Sequence, residues 1–229
     1  MDDLIVIDLF CGAGGAACGI ELACQDAGVD VTIIGVDNRP QPRYPYNFLL
    51  DEWDNVDLEG ADFVWASPPC QRYTIANNIH KRVDHPHLIP NVRARLASSG
   101  LPYIIENVPR SPLFNPALVC GRALGIGVKR HRLFESNFSV ESTKCPKGHP
   151  GNWLLVFGHT VLNRGKTLGY CKNGAFARIH RTHQGTDAGR KAMGIPWMSR
   201  EELSEAVPPA YSRYIFSQWL TQRVGSPPA

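Results

Sequence analysis

Leu4-Ile-Val-Ile-Asp-Leu-Phe-Cys-Gly-Ala-Gly-Gly15 passes from an apolar run into a glycine turn within twelve residues. A short run of this kind reads as a strand buried on both faces. The stretch that follows, Ala16 to Ala27 closed by Gly28, reads as a helix. Strand, glycine turn and helix in that order form the first unit of an α/β fold. The turn lets a ligand approach the backbone, and the helix start offers it free N–H groups. Working outward, Val31–Val36, Asp62–Ala66 and Tyr103–Ile105 read as further strands, with helical patterning near 88–98. The alternation predicts a mostly parallel sheet. Asp37 closes the second strand, where a carboxylate can bond both hydroxyls of a ribose. Gly12-x-Gly14-x-x-Ala17 with Asp37 therefore points to a nucleoside cofactor, and an NAD-binding fingerprint fits this pattern too.

Three further clusters carry chemistry. Ser67-Pro-Pro-Cys-Gln71 directly follows a buried strand, so two prolines fix the backbone before a thiol at the edge where α/β active sites lie. Glu106 and Asn107 project from the end of the next strand. Val128-Lys-Arg-His-Arg-Leu-Phe134 places Arg130 and Arg132 on one face at strand spacing.

Charge divides the chain. Residues 1–143 carry twelve Lys and Arg against seventeen Asp and Glu, while 144–191 carry nine against the single acid Asp187. A positive field interrupted once favours a polyanion partner. The second segment is rich in Gly and His, and regular patterning returns at Ser199, where Ser-Arg-Glu-Glu can cap a helix. Tyr211–Arg223 reads as the last helix. Cys145-x-x-x-His149, with His159 and Cys171, offers metal-ligand types, but the spacing is irregular and matches no standard zinc template, so nucleic-acid-facing or packing roles are the leading expectation and a metal the lesser one. Seven cysteines, an odd number without a CxxC pair, fit a reducing, cytoplasmic setting. No apolar run reaches the ~18 residues of a membrane span. Asn137-Phe-Ser is a formal glycosylation sequon without expected use.

Together and in this order, the four clusters resemble the cytosine-5 DNA methyltransferases. DLFCGAGG looks like that family's first cofactor motif, SPPCQ its nucleophile loop, ENV its base-holding motif and VKRHR its QxRxR motif. Ala206-Val-Pro-Pro-Ala-Tyr-Ser-Arg-Tyr-Ile215 is similar to its last motif, a helix returning to the cofactor pocket. The compact form is most similar to short phage and prophage members, its recognition region is shorter than in typical restriction-associated enzymes, and the resemblance still makes restriction-modification an expected setting. Val128 stands where the family usually has Gln, and Ser204-Glu205 replaces its usual Gly-Asn.

The resemblance implies a Rossmann-like S-adenosylmethionine-dependent catalytic domain over 1–143. It implies a short target-recognition region over 144–191, reading a short or relaxed target, and a C-terminal segment, 192–229, that rejoins the catalytic domain. It assigns Cys70 to attack C6 of a cytosine flipped out of double-stranded DNA, a base-flipping step of known type. Glu106 holds N3 and the exocyclic amine, which asks for a carboxyl of raised pKa. Arg132, with Arg130, meets O2 and a flanking phosphate. Phe10, Gly12, Ala13, Gly14, Gly15, Asp37, Asn38, Asp51, Pro68 and Val207 form the cofactor site, with Asp37 on the ribose and Asp51 on the adenine amine. Positive charge or helix N–H groups are expected to help form the Cys70 thiolate. The expected protein is a monomer. Rival readings are a C5 alkyltransferase using a modified S-adenosylmethionine, a tRNA cytosine methyltransferase, a catalytically silent DNA-binding decoy and a dehydrogenase.

Overall fold

The computed structural model describes residues 3–74, 85–147, 149, 154, 156 and 186–225. The strands are β1 (Leu4–Leu9), β2 (Val31–Asp37), β3 (Asn47–Leu50), β4 (Phe63–Ala66), β5 (Tyr103–Asn107), β6 (Ala117–Cys120) and β7 (His131–Ser136). The helices are α1 (Gly15–Ala27), α2 (Ile89–Ser99), α3 (Thr186–Met193), α4 (Arg200–Glu205) and α5 (Pro209–Gly225). The strands form one seven-stranded sheet in the order β3-β2-β1-β4-β5-β7-β6. β1 through β5 run parallel, and β7 is antiparallel to both neighbours.

This order follows from alternation on strands covered from both sides. Leu4, Val6, Phe63, Trp65 and Ile104 face one core. Ile7, Leu9, Val64, Ala66 and Ile105 face the other. The first core is closed by α1 and α5, whose approach is set by small residues. A Cβ on Gly15 would stand 2.3 Å from the Val207 carbonyl oxygen, and one on Gly19 2.0 Å from that of Pro209. Val92 and Leu96 of α2 close the second core.

The chain leaves β1 for β2 on one side, and β4 lies on the other. In open α/β sheets the crevice at such a reversal, outside the strand C-termini, is where ligands bind. The turn after β1 and the Ser67–Gln71 segment after β4 both open there.

The strands read from sequence are present, with β5 extended to include Glu106 and Asn107. Ser199 caps α4 through a reciprocal capping box with Glu202. Three elements escape the sequence reading: β3, β6 and α3, the last of which places a helix at Thr186, ahead of Ser199. The Asn137 side chain is structural. It accepts from the Tyr103 N–H at 3.0 Å and donates to the Leu101 carbonyl at 2.8 Å, fixing the start of β5. Among the described residues no helix is long and apolar enough to cross a membrane.

Candidate active site

The side of the crevice after β1 is built mainly from backbone. Gly12 has φ +49°, and a Cβ placed on it would meet nothing within 4 Å. Its neighbour Phe10 is also left-handed at φ 59°. That conformation costs a non-glycine residue about 1–2 kcal/mol, and the Phe10 ring is held by stacking on Trp53 at 5.9 Å. Asp37 Oδ2 accepts the Gly12 N–H at 3.1 Å, and Oδ1 accepts the Arg39 N–H at 3.0 Å. A carboxylate offers about four lone-pair directions, so these bonds aim Asp37 while leaving capacity for hydroxyl donors.

The other glycines serve packing. Gly14, at φ +83°, lies under Pro45 and Tyr44, and Gly15 abuts Val207. Ala13 is buried, and its carbonyl accepts from Trp197 Nε1 at 2.8 Å. The 206–208 segment thus reaches the start of α1, where the sequence places the returning motif. Asp51 Oδ1 accepts from Glu52 N–H and Asn55 Nδ2, bonds that hold its carboxyl below the usual range. Asn38 donates to Glu52 at 3.3 Å. Both residues therefore organise the turn after β3, at the rim of the crevice.

Asp8, beneath the glycine turn, is a residue that sequence reasoning left unassigned. It is fully buried, and burial pushes its carboxyl up to about 8, against the Tyr44 hydrogen bond and with help from the Asp37 charge. Tyr44 Oη donates to Oδ2 at 3.4 Å, and Oδ1 is buried without a partner among the described residues. At neutral pH the acid is held largely protonated.

The side of the crevice after β4 and β5 is built from side chains. Cys70 begins a single 3₁₀ turn, Gln71–Tyr73, and is half-buried. Asn107 Nδ2 donates to the Pro68 carbonyl at 2.8 Å, so the amide at the end of β5 holds the loop that presents Cys70. Asn107 is a positioning residue, and its place beside Glu106 in the sequence was the available signal. Glu106 is buried, and desolvation raises its carboxyl, as the sequence reading requires. Arg132, Arg130 and hydrogen bonding from Ser67 oppose that rise. Arg132 Nε stands 2.8 Å from Glu106 Oε1, an ion-pair distance whose geometry falls short of a hydrogen bond.

The resting thiol differs from the expectation. Burial and then the Glu106 charge raise Cys70, and the lowering by Arg132 and Arg130 is too small to reverse this. The positive charge is present, but desolvation wins in a closed site.

The two arginines also part company. Arg130 is buried and donates to the carbonyls of Val156, Leu203 and Ser204 at 3.5, 3.3 and 2.7 Å. Its own carbonyl accepts from Tyr211 Oη at 2.7 Å. In this structure its guanidinium is bonded to backbone carbonyls, so Arg130 ties the start of β7 to the C-terminal segment. Arg132 alone of the pair faces Glu106. Val128 is buried and bridges to Leu154 through backbone bonds, which need no Gln side chain. Within the basic segment, Arg164, Lys166, Lys172, Arg178 and Arg181, with His159, Cys171, His180 and His183, lie outside the described residues.

No protein-family model matches the sequence, and no curated protein does. Solved structures do resemble it. The S. pombe Dnmt2 methyltransferase superposes with a TM-score of 0.58 at 15% identity, over 97% of this chain and 99% of that one. The Entamoeba histolytica methyltransferase EhMeth matches with a TM-score of 0.47 at 18% identity, over 63% of this chain and 58% of that one. This chain thus spans little more than half the length of the Entamoeba structure. The near-complete overlap with the S. pombe structure shows that the two share a Rossmann-like α/β fold.

Proposed function

We propose that this chain is a DNA cytosine-5 methyltransferase that uses S-adenosylmethionine and acts as a monomer on double-stranded DNA. The observation that carries this reading is the Cys70–Glu106–Arg132 cluster. A half-buried thiol, a buried carboxyl of raised pKa and one arginine converge beside the crevice of a methyltransferase fold.

The chemical problem is that C5 of cytosine is a poor nucleophile. Addition of Cys70 sulfur at C6 turns the ring into an enamine and makes C5 reactive. Charge then builds at N3, where a protonated Glu106 donates. The two groups are linked: a protonated Glu106 no longer opposes the Cys70 thiolate, so Arg132 and Arg130 then lower the thiol's pKa with less opposition. Protonation of one favours ionisation of the other.

The cofactor side fits a nucleoside with an attached amino acid. Open space at Gly12, the aimed Asp37 carboxylate and the Phe10 ring would hold ribose and methionine parts. When bound, S-adenosylmethionine supplies an electrophilic methyl group. The basic segment 144–191 supports a nucleic-acid substrate by charge.

Duplex DNA containing 5-fluorocytosine tests this reading, because fluorine at C5 blocks the elimination that frees the enzyme. Incubation with S-adenosylmethionine is expected to give a denaturant-stable protein–DNA adduct in wild type and in Cys18→Ala, and none in Cys70→Ala. Tight DNA binding with no adduct and no nucleoside modification would overturn it. Mass analysis of nucleosides from ordinary DNA gives the mass of the transferred group, and anything other than a methyl increment would redirect the cofactor assignment.

A further inference from the structure

Cys120, His131, Cys145 and His149 come together at the far edge of the sheet, away from the crevice. Their four ligand atoms all lie within 4.8 Å of one another. Cys120 ends β6 and His131 begins β7, and the two are directly paired across the antiparallel ladder. Directly opposed residues share one face of a sheet, so their side chains emerge together. Cys145 is delivered by the segment just before it. The Thr143 N–H donates to the Leu118 carbonyl at 2.9 Å, and Thr143 Oγ1 accepts from Cys120 N–H at 2.9 Å, laying 142–143 along β6. His149 returns through a turn closed by its own N–H on the Pro146 carbonyl, with φ at +48°, a left-handed value uncommon for this residue.

The inner geometry is that of a ligand cage. His149 Nε2 stands 3.0 Å from His131 Nε2, 3.2 Å from Cys145 Sγ and 3.4 Å from Cys120 Sγ. His131 Nε2 stands 3.3 Å from Cys145 Sγ. One ring nitrogen carries at most one proton, so hydrogen bonding cannot serve three such contacts at once. A tetrahedral metal serves all of them. With Zn–S about 2.3 Å and Zn–N about 2.0–2.1 Å, tetrahedral angles set S···N edges near ~3.6 Å and N···N edges near ~3.3 Å. These four edges are shorter by a few tenths of an ångström, and the edges from Cys120 to His131 and Cys145 lie within 4.8 Å. A small rearrangement of four side chains, one of them on an exposed turn, reaches the metal-bound spacing.

We propose that Cys120, His131, Cys145 and His149 bind a structural zinc ion. Two thiolates and two neutral imidazoles closing a four-coordinate site match the donor set and coordination number zinc takes in structural sites, with no position left for a substrate. The ligand spacing, Cys-x10-His and then Cys-x3-His, comes from a hairpin and a following turn, which is why no linear template reveals it. The ion clamps the β6–β7 hairpin to the entrance of the basic segment. His131 lies between Arg130 and Arg132, so fixing its ring on one face of β7 also fixes Arg132 on the other.

Metal analysis of the full chain, purified reduced and without chelators, tests the proposal. One zinc per chain is expected. Cobalt(II) put in its place should give the absorption of a tetrahedral site with thiolate-to-cobalt charge transfer. Cys145→Ser should weaken zinc retention against a chelator at least tenfold, and Cys18→Ser should leave it unchanged. Wild-type protein that neither carries zinc nor binds added zinc would overturn the proposal, as would a Cys120–Cys145 disulfide in its place. Zinc held equally well by Cys145→Ser would place the metal elsewhere and overturn it too. Should that variant fail to fold, X-ray absorption at the zinc edge of the wild type decides: two sulfur and two nitrogen neighbours support the site, and any other shell refutes it. None of these readouts depends on methyl transfer.

Discussion

The two halves of the crevice solve the problem of holding a reactant in opposite ways. After β1 the chain uses backbone: a left-handed Gly12, a left-handed Phe10, and an Asp37 whose oxygens are aimed by two N–H groups. After β4 and β5 it uses side chains withdrawn from water, Cys70 and Glu106, whose protonation depends on one another, with Arg132 beside them. The first half is fixed mainly by backbone conformation and by the N–H groups that aim Asp37. The second is fixed by electrostatics, where exchanging one oxygen for a nitrogen alters the chemistry.

The sharpest way to break this contrast is Glu106→Gln. It preserves shape but removes the proton donor, and kcat should fall by about 10²–10⁴, the usual worth of a positioned acid. Cofactor affinity should hardly change, because the other half of the crevice is untouched. In the wild type the rate should rise with pH as Cys70 ionises and fall as Glu106 loses its proton, giving a bell. The falling limb should vanish in the Gln variant. A variant that keeps the wild-type profile would remove Glu106 from the chemistry.

Asp8 is the exception on the cofactor side, a buried acid among backbone-held groups. Its carboxyl sits near 8 when folded and in the ordinary carboxylate range when unfolded. Between those limits the folded chain keeps a proton that the unfolded chain releases. Stability should therefore fall as pH rises through that window, by on the order of several kcal/mol at most. Asp8→Asn mimics the neutral acid and should flatten the decline in melting temperature between pH 5 and pH 8. An unchanged slope would mean that Asp8 is already ionised at pH 5.

The smallest effect belongs to Gly12→Ala. The added methyl meets no protein atom, so it should cost only the left-handed backbone strain of about 1–2 kcal/mol. It projects into the space assigned to the cofactor and should raise KM for S-adenosylmethionine roughly tenfold with kcat little changed, since it disturbs ground state and transition state alike. Equal KM values would show that the cofactor lies elsewhere.

Much of this was legible from residue order. The buried strands β1, β2, β4 and β5 advertise themselves as apolar runs, and Cys70 and Glu106 stand at their ends. β3 does not: it is an exposed edge strand of four residues after a proline-rich approach, with no alternation to see. α3 carries a central Gly189 and begins within the basic segment, so its helical pattern is diluted. The division of labour between Arg130 and Arg132 was hidden for a different reason. Strand spacing tells which residues share a face, but the carbonyls that capture Arg130 come from residues 26 and more than 70 positions away. The Cys–His tetrad was illegible on the same ground, its ligands being adjacent only after the hairpin forms.

The closure of α1 by the C-terminal segment has a consequence for how the chain is made. Trp197 meets Ala13 across 184 positions, and Arg213 meets Asp26 across 187. During synthesis the glycine turn and the first helix leave the ribosome long before the wall that covers them. Until α5 emerges, the apolar side of α1 lacks the helix that covers it in the folded chain. Contacts this distant in sequence slow folding, so the nascent chain passes through an exposed, aggregation-sensitive interval that a shorter-range topology would avoid.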